Sequence, residues 1–468
     1  MTKSDTYPLP DVRGKRVVLL LQGGGALGAY QVGAFEALAA HLERYGKKRV
    51  DWVAGVSIGA INAAVIAGNT PEDLLPSSKP EELRALHSGP PAQALPPSKL
   101  EQLWKNIAWP GASTSVTASG SPQWRAWNER QDLLSRYAGF DWAAMWGQAH
   151  FFSPRLLSAW TNPWVAQWWR GALPPHELGN YDMSPLRKTL EDPGQINWDL
   201  INDNNAAAGA RTRLSLGATN VKDGETEFFD SDAQRLGPKH VLASGALPPA
   251  FPPVDVDGKY YFDGGISSNT PLLDLEDQLA TEATIVFDIH VWDRQGELPR
   301  TMDELTWRQK SIQYGSRKRI AELIVDRYQH RPVSGDKPVL VVYQVMYEYR
   351  RGAKGDPGDS SFALSDADFS PASIELRRAL GRKDMHDALR FPELVDGIGG
   401  DRAALYRYGT YGKHIVTDRK IAARFARTAP EPKRAAANAA TETGHVIATE
   451  AAGENLAPEA EAPPAPAR

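Results

Sequence analysis

The chain of 468 residues has no cysteine. Disulfides, thiolate metal ligands and a cysteine nucleophile are therefore excluded. Long apolar runs are missing too. The opening stretch MTKSDTYPLPDVRGKR has no apolar core, and the run Val17 to Leu21 is far too short for a signal segment. The longest weakly polar stretch, Val53 to Ala67, is interrupted by Ser57 and Asn62 and falls short of a membrane span. These features predict a soluble, cytoplasmic protein. Charge of one sign is also scarce: the net charge is −4, and no basic stripe with interleaved aromatics appears. Nucleic acid is not an expected partner. The ten histidines are scattered, with no pair at ligand spacing on one element, and no acidic loop follows a calcium-binding pattern. Neither a metal nor a cofactor is expected.

What is present is an ordinary globular composition, 42% hydrophobic and 24% charged, with ample material for a core. RVVLLLQGGGALGAYQVGAFEALAAHLERYG reads as a buried strand over Val17 to Leu21, a glycine turn, and a helix from about Leu27 to Tyr45. RVDWVAGVSIGAINAAVIAGN repeats that plan. Two such units in series imply parallel strands and an α/β open sheet. Residues 71–200 differ: prolines separate helical pieces, and ten of the fourteen tryptophans fall between Trp104 and Trp169. This is an expected helical insertion or cap. Trp160, Trp164 and Trp168 make one helical stripe, which reads as core packing, with a lid over an apolar pocket as the alternative. Strand character resumes at RLSLGATNV, TEFFDS, ATIVFDIHVWD and PVLVVYQVMY. RQKSIQYGSRKRIAELIVDRY reads as one helix with Ile320, Leu323, Ile324 and Tyr328 on its buried face. Its cluster Arg317-Lys318-Arg319 reads as a solvated face, with contact to anionic lipid as the alternative. From residue 427 onward the composition collapses to Ala, Pro, Glu and Thr, the signature of a disordered tail.

The glycine turn places Gly23, Gly25 and Gly28 at G-x-G-x-x-G spacing. Such a turn bares backbone N–H groups at a helix start, a ready anion site. A dinucleotide site would also need an acidic residue after the second strand. Gly55-Val56-Ser57 stands there instead, so that reading fails, which leaves an oxyanion hole or a glycine-rich packing turn. Gly55-Val56-Ser57-Ile58-Gly59 is G-x-S-x-G between strand and helix. The turn forces the serine out, and Gly55 and Gly59 remove Cβ atoms that would clash. A nucleophilic serine needs a base. His290 lies within an apolar run and Asp263 precedes Gly264-Gly265 at a strand end; spacing leaves both open.

Four segments in series resemble the patatin-like phospholipases: GGGALG, GVSIG, ASGALPPAFPPV (Ala243 to Val254), and the DGG of Asp263 to Gly265 followed by Asn269 and Pro271. The resemblance covers roughly residues 16–275. It implies a three-layer α/β fold with a mostly parallel central sheet flanked by helices. It divides the chain into an N-terminal segment 1–15, an acyl hydrolase domain 16–275 carrying the insertion at about 71–200, an extension 276–426 packed on the core, and the tail 427–468. It implies a lipid acyl hydrolase working through an acyl-enzyme, with Ser57 as nucleophile and Asp263 as base, without histidine. Gly23, Gly24, Gly25, Ala26 and Gly28 would form the oxyanion loop. Many relatives carry Arg or Lys where this chain has Leu27, which loosens the case for a phosphate head group. The expected partner is a lipid or ester substrate, with peripheral contact to a lipid surface. The alternative is a catalytically silent acyl-binding module.

Overall fold

RVVLLL extends as β1 (Arg16–Leu21), near the middle of a ten-stranded sheet. The computed structural model describes residues 10–75, 97–109, 147–148, 150–155, 174–207, 209–279, 282–294, 296, 298–315, 318–330, 340–347, 365–390, 394–399 and 403–409. After β1 come α1 (Ala29–Arg44), β2 (Trp52–Val56) and α2 (Ile58–Ala67). A small ribbon of β3 (Ser153–Pro154) and β4 (Tyr181–Asp182) lies apart from the main sheet. The main sheet continues with β5 (Arg213–Asn220), β6 (Thr226–Asp230), β7 (Val254–Val256), β8 (Lys259–Asp263), β9 (Thr284–His290), β10 (Leu340–Met346), β11 (Leu394–Gly399) and β12 (Ala403–Gly409). The order is β11-β12-β10-β9-β1-β2-β5-β8-β7, with β6 on β5. From β12 across to β5 every pairing is parallel; β6, β7, β8 and β11 pair antiparallel.

β1 is apolar throughout because both its faces are covered, as parallel strands require. Val17, Leu19 and Leu21 face a large core shared with α1, α2 and the helix Pro371–Arg390. Val18 and Leu20 face a second core, closed by Leu272, Leu275 and the helix Lys318–His330. This is the expected three-layer arrangement. The sequence beyond residue 275 supplies central strands: β9 pairs with β1 along its length. On the large-core side α1 and the helix Pro371–Arg390 cross at two glycines. A Cβ on Gly33 would lie 1.8 Å from the Arg378 carbonyl oxygen, and one on Gly381 would lie 1.9 Å from that of Tyr30. Arg378 and Arg382 both pair with Glu36 of α1 at that crossing.

One helix of the sequence reading is two. Met302–Tyr314 ends at Gly315, whose backbone turns extended, and Lys318–His330 begins a new helix. The buried stripe of the second helix is Ala321, Ile324, Val325 and Tyr328, while Leu323 is exposed. Both sets have helical spacing; packing on the second core turns Ala321 and Val325 inward and leaves Leu323 out. Within the insertion, Trp104 is buried against α2 and donates Nε1–H to Asn62 Oδ1 at 2.9 Å. Trp160, Trp164, Trp168, Arg317, the side chains of Lys318 and Arg319, and the tail lie outside the described residues. Among the described residues no helix is long and apolar enough to cross a membrane. No cluster of three or more His, Asp or Glu suited to a metal is found among them.

Candidate active site

Ser57 stands between β2 and α2 with φ 56° and ψ −125°. A β-carbon residue there stores strain of order 1–3 kcal/mol, and its neighbours hold it. The Ser57 N–H donates to Ser244 Oγ at 3.0 Å, and the Ser244 hydroxyl donates in turn to the Gly217 carbonyl of β5 at 2.6 Å. The Ser57 carbonyl accepts from Ala60 and Ile61 and so starts α2. The two flanking glycines permit close backbone approach. A Cβ on Gly55 would lie 2.3 Å from the Gly59 carbonyl oxygen, and one on Gly59 would lie 2.4 Å from that of Leu21.

Asp263 is the last residue of β8 and only 2% exposed. Its carboxylate accepts the Gly265 N–H at 2.7 Å, and hydrogen bonding from the Ser57 side chain and from Gly265 favours its charged form. Burial outweighs both bonds and pushes its pKa up to about 6. Gly264 lets this turn lie against β5: a Cβ there would be 2.5 Å from the Gly217 carbonyl oxygen.

The glycine loop lies beside the serine. A Cβ on Gly23 would be 3.0 Å from that of Ser57 and 2.4 Å from Asn269 Oδ1. Gly24 caps a short 3-10 turn, Gly25–Gly28. Gly25 has φ +55°, and a Cβ there would meet the Asp366 carbonyl oxygen at 2.2 Å. Gly23, Gly24 and Gly25 line the cavity in front of Ser57. Ala26, Leu27 and Gly28 are buried. Gly28 packs on Ile58 and Trp104, and its carbonyl accepts from Asn62.

That cavity holds about 410 Å³, within the usual range for small-molecule sites. Ser57 and Asp263 lie in its wall, and aromatic rings cover much of the rest: Phe151, Phe152, Tyr181, Phe251 and Phe369. The rings support one another, Phe152 lying 4.8 Å from Tyr181 and Phe151 lying 5.5 Å from Phe369 between centroids. Asp366 and Tyr314 complete the wall from the C-terminal third. Lys310 pairs with Asp366 at 2.8 Å. Burial, then the nearby Asp263 and Asp366 charges, raise the Tyr314 pKa and keep the phenol neutral.

His290 sits at the end of β9 in a different set of contacts. Its Nε2 lies 2.6 Å from Asp288 Oδ2, and Gln344 donates to the same oxygen at 3.0 Å. Arg407 bonds Gln344 and pairs with Glu322 at 3.0 Å, closing a buried polar network. Sequence reasoning missed Gln22, Ser244, Trp292, Tyr314 and Phe369. Gln22 adjoins the glycine turn, and Ser244 lies inside the quoted ASGALPPAFPPV segment but carried no assigned role. Trp292, Tyr314 and Phe369 carry no local signal, because only the fold returns them to the loop.

The family model described as patatin-like phospholipase matches residues 19–275, more than half of the chain. Among solved structures the chain is similar to VipD from Legionella pneumophila, with 17% identity over 83% of this chain and 69% of that one, at a TM-score of 0.32. It is also similar to the heterodimeric ExoU–SpcU complex of the Pseudomonas aeruginosa type III secretion system, with 17% identity over 67% of this chain and 52% of that one, at a TM-score of 0.22. No curated protein matches.

Proposed function

The chain belongs to the patatin-like phospholipase family, and from that membership we propose that it cleaves the acyl ester of a lipid with Ser57 and Asp263. One observation carries the reading: Ser57, strained at the end of β2, and the buried carboxylate of Asp263, at the end of β8, share the wall of one apolar cavity, and burial pushes that carboxyl up to about 6. At that pKa the carboxylate is mostly ionised at neutral pH and a far better base than an exposed aspartate. Ser57 Oγ attacks the ester carbonyl carbon as Asp263 takes its proton. The oxygen that becomes negative sits against the N–H groups of Gly24, Gly25 and Ala26, at the start of the 3-10 turn. Leu27 already donates to the Gly24 carbonyl, so the donors before it are those a helical start leaves for a ligand. Collapse expels the alcohol, which takes the proton from Asp263. Water, deprotonated by the same carboxylate, then attacks the acyl carbon; the bond to Ser57 Oγ breaks, that oxygen takes the proton back from Asp263, and the fatty acid leaves.

The substrate we assign is an ester whose polar end is uncharged. Among the described lining residues the carboxylates are Asp263 and Asp366, Lys310 is paired with the latter, and Leu27 is buried. Aromatic rings suit the acyl chain. Action in the cytoplasm at a lipid surface belongs to the same proposal. The test is labelling with a fluorophosphonate and location of the adduct by peptide mass spectrometry. An adduct on Ser57, greatly slowed in Asp263→Asn, supports the reading. Folded protein that takes no adduct, hydrolyses no ester and still binds fatty acid overturns it in favour of an acyl-binding module.

A further inference from the structure

Two side-chain donors meet on the Gly23 carbonyl: Trp292 Nε1 at 2.9 Å and Asn269 Nδ2 at 3.1 Å. Asn269 belongs to the motif region. Trp292 lies beyond residue 275, where the family match ends. A trans peptide is planar, with its N–H opposed to its C=O. Holding the Gly23 carbonyl on these donors therefore aims the Gly24 N–H away from them.

The indole is itself held in one pose. The Trp292 and Val291 N–H groups both donate to Gln22 Oε1, at 3.0 and 2.8 Å, which ties this stretch to the residue before the glycines. The ring packs against Trp307 and Tyr314, at centroid distances of 5.1 and 5.5 Å, and is 3% exposed. A Cβ on Gly24 would lie 3.1 Å from the indole nitrogen and 2.5 Å from Val291 Cγ2. Glycine at 24 and tryptophan at 292 thus fit as a pair.

We propose that Trp292 is a positioning residue for ester hydrolysis: by fixing the Gly23–Gly24 peptide plane it presents the Gly24 N–H to the negative oxygen of the tetrahedral intermediate. It acts through the loop and takes no proton. This rests on the reading of Ser57 and Asp263 given above. The region outside the family match would then help to build the oxyanion hole.

The test uses the full chain. Trp292→Phe removes the donor and keeps an aromatic ring. Trp292→3-benzothienylalanine, with sulfur in place of the indole N–H, removes the donor at nearly unchanged shape. Three quantities are measured for each: kcat and KM on a p-nitrophenyl ester, the inhibition constant of a trifluoromethyl ketone of matching chain, and binding of the free fatty acid. The ketone forms a tetrahedral adduct and so reports the oxyanion hole; the fatty acid reports the acyl pocket. The expected result is a fall in kcat on the order of ten-fold, with a matching rise in the ketone constant. KM, fatty-acid affinity and Tm stay unchanged in the benzothienylalanine protein. Wild-type kcat in that protein, or a loss of kcat with unchanged ketone affinity, overturns the role of Trp292 alone. A wild-type chain inert toward both ester and fluorophosphonate overturns the hydrolase reading, and Trp292 with it.

Discussion

Ser57 and Asp263 meet because the strands that carry them run toward each other along one edge of β5. β2 lies parallel to β5 and ends with Val56 opposite Gly217; β8 lies antiparallel and ends with Asp263 opposite Ala218. β6 takes the other edge of the same stretch, pairing Gly217 with Phe228 and Ala218 with Glu227. The residue after Val56 is Ser57, so hydroxyl and carboxylate face each other where the two strand ends converge. A purely parallel sheet has all its strand ends on one side and offers no such head-on meeting. The antiparallel hairpin β7–β8 is what brings the carboxylate there.

Replacing that carboxylate should trade activity for stability. The folded pKa of Asp263 is about 6 against an ordinary 3.8. A raised acid pKa favours the folded state below the unfolded value, and that advantage is lost as pH rises through the folded one. At pH 7 the ionised carboxylate therefore costs about 3 kcal/mol. Asp263→Asn should melt higher than wild type at pH 7 to 8, with the gap narrowing toward pH 4, while ester turnover falls by about 10²-fold or more. In wild type, kcat/KM should fall roughly tenfold per pH unit below about 6, since the carboxylate proposed as base must be unprotonated. Thermal melts and pH–rate profiles check both; a variant that melts lower at pH 7 would contradict the electrostatic account.

His290 should behave as a structural residue. Its ring lies against Asp288, which also holds Gln344, and all three are buried. His290→Asn should lower stability by about 2 kcal/mol, since it disturbs a buried hydrogen-bonded carboxylate. Turnover per folded molecule, measured well below Tm, should stay within about twofold, whereas losing a general base costs about 10²-fold or more. A loss of that size at unchanged Tm would route the proton through His290.

The strand–turn–helix units were legible because a buried parallel strand is apolar on both faces and because glycines mark where backbones touch. Gly55 and Gly59 illustrate this: each faces a carbonyl across the elbow. The position of Asp263 beside Ser57 was not legible from spacing, which left His290 open, since it depends on which edge of β5 each strand takes; only the family resemblance pointed to it. The same limit hid Trp292, Tyr314 and Phe369, which reach the site through pairings of β9 and the elements after it. Leu323 was misassigned for a simpler reason. An apolar residue next to a helical stripe looks like part of it until the neighbouring layer fixes the helix rotation.

Phe369 should set the depth of the acyl pocket. It lines the cavity and is wedged between Trp104 and Phe151, at centroid distances of 6.0 and 5.5 Å. Phe369→Ala opens room for a longer chain. Each extra buried methylene is worth about 0.8 kcal/mol, so two should raise relative kcat/KM for the longer ester by about tenfold. The variant should also lose about 3 kcal/mol of stability to the cavity. Rates on a chain-length series of p-nitrophenyl esters decide the matter. An unchanged preference, in a variant shown to be folded, would put the acyl chain elsewhere.

The elbow glycines differ sharply from a glycine that touches nothing. A Cβ on Gly55 would lie 2.3 Å from the Gly59 carbonyl oxygen and 2.7 Å from the Ala60 nitrogen, both backbone atoms of the α2 start. Backbone cannot step aside as a flexible side chain can, so α2 must move off β2, and Ser57 moves with it. Gly55→Ala should therefore destabilise by about 3 kcal/mol or more, and whatever folds should label poorly with fluorophosphonate. Gly237 has extended backbone and nothing within 4 Å of a Cβ. Gly237→Ala should change stability by no more than about 0.5 kcal/mol and leave labelling intact. Paired urea melts and labelling rates give the comparison. If Gly55→Ala matched Gly237→Ala in both, the strand–helix approach would not be what holds the serine in its strained pose.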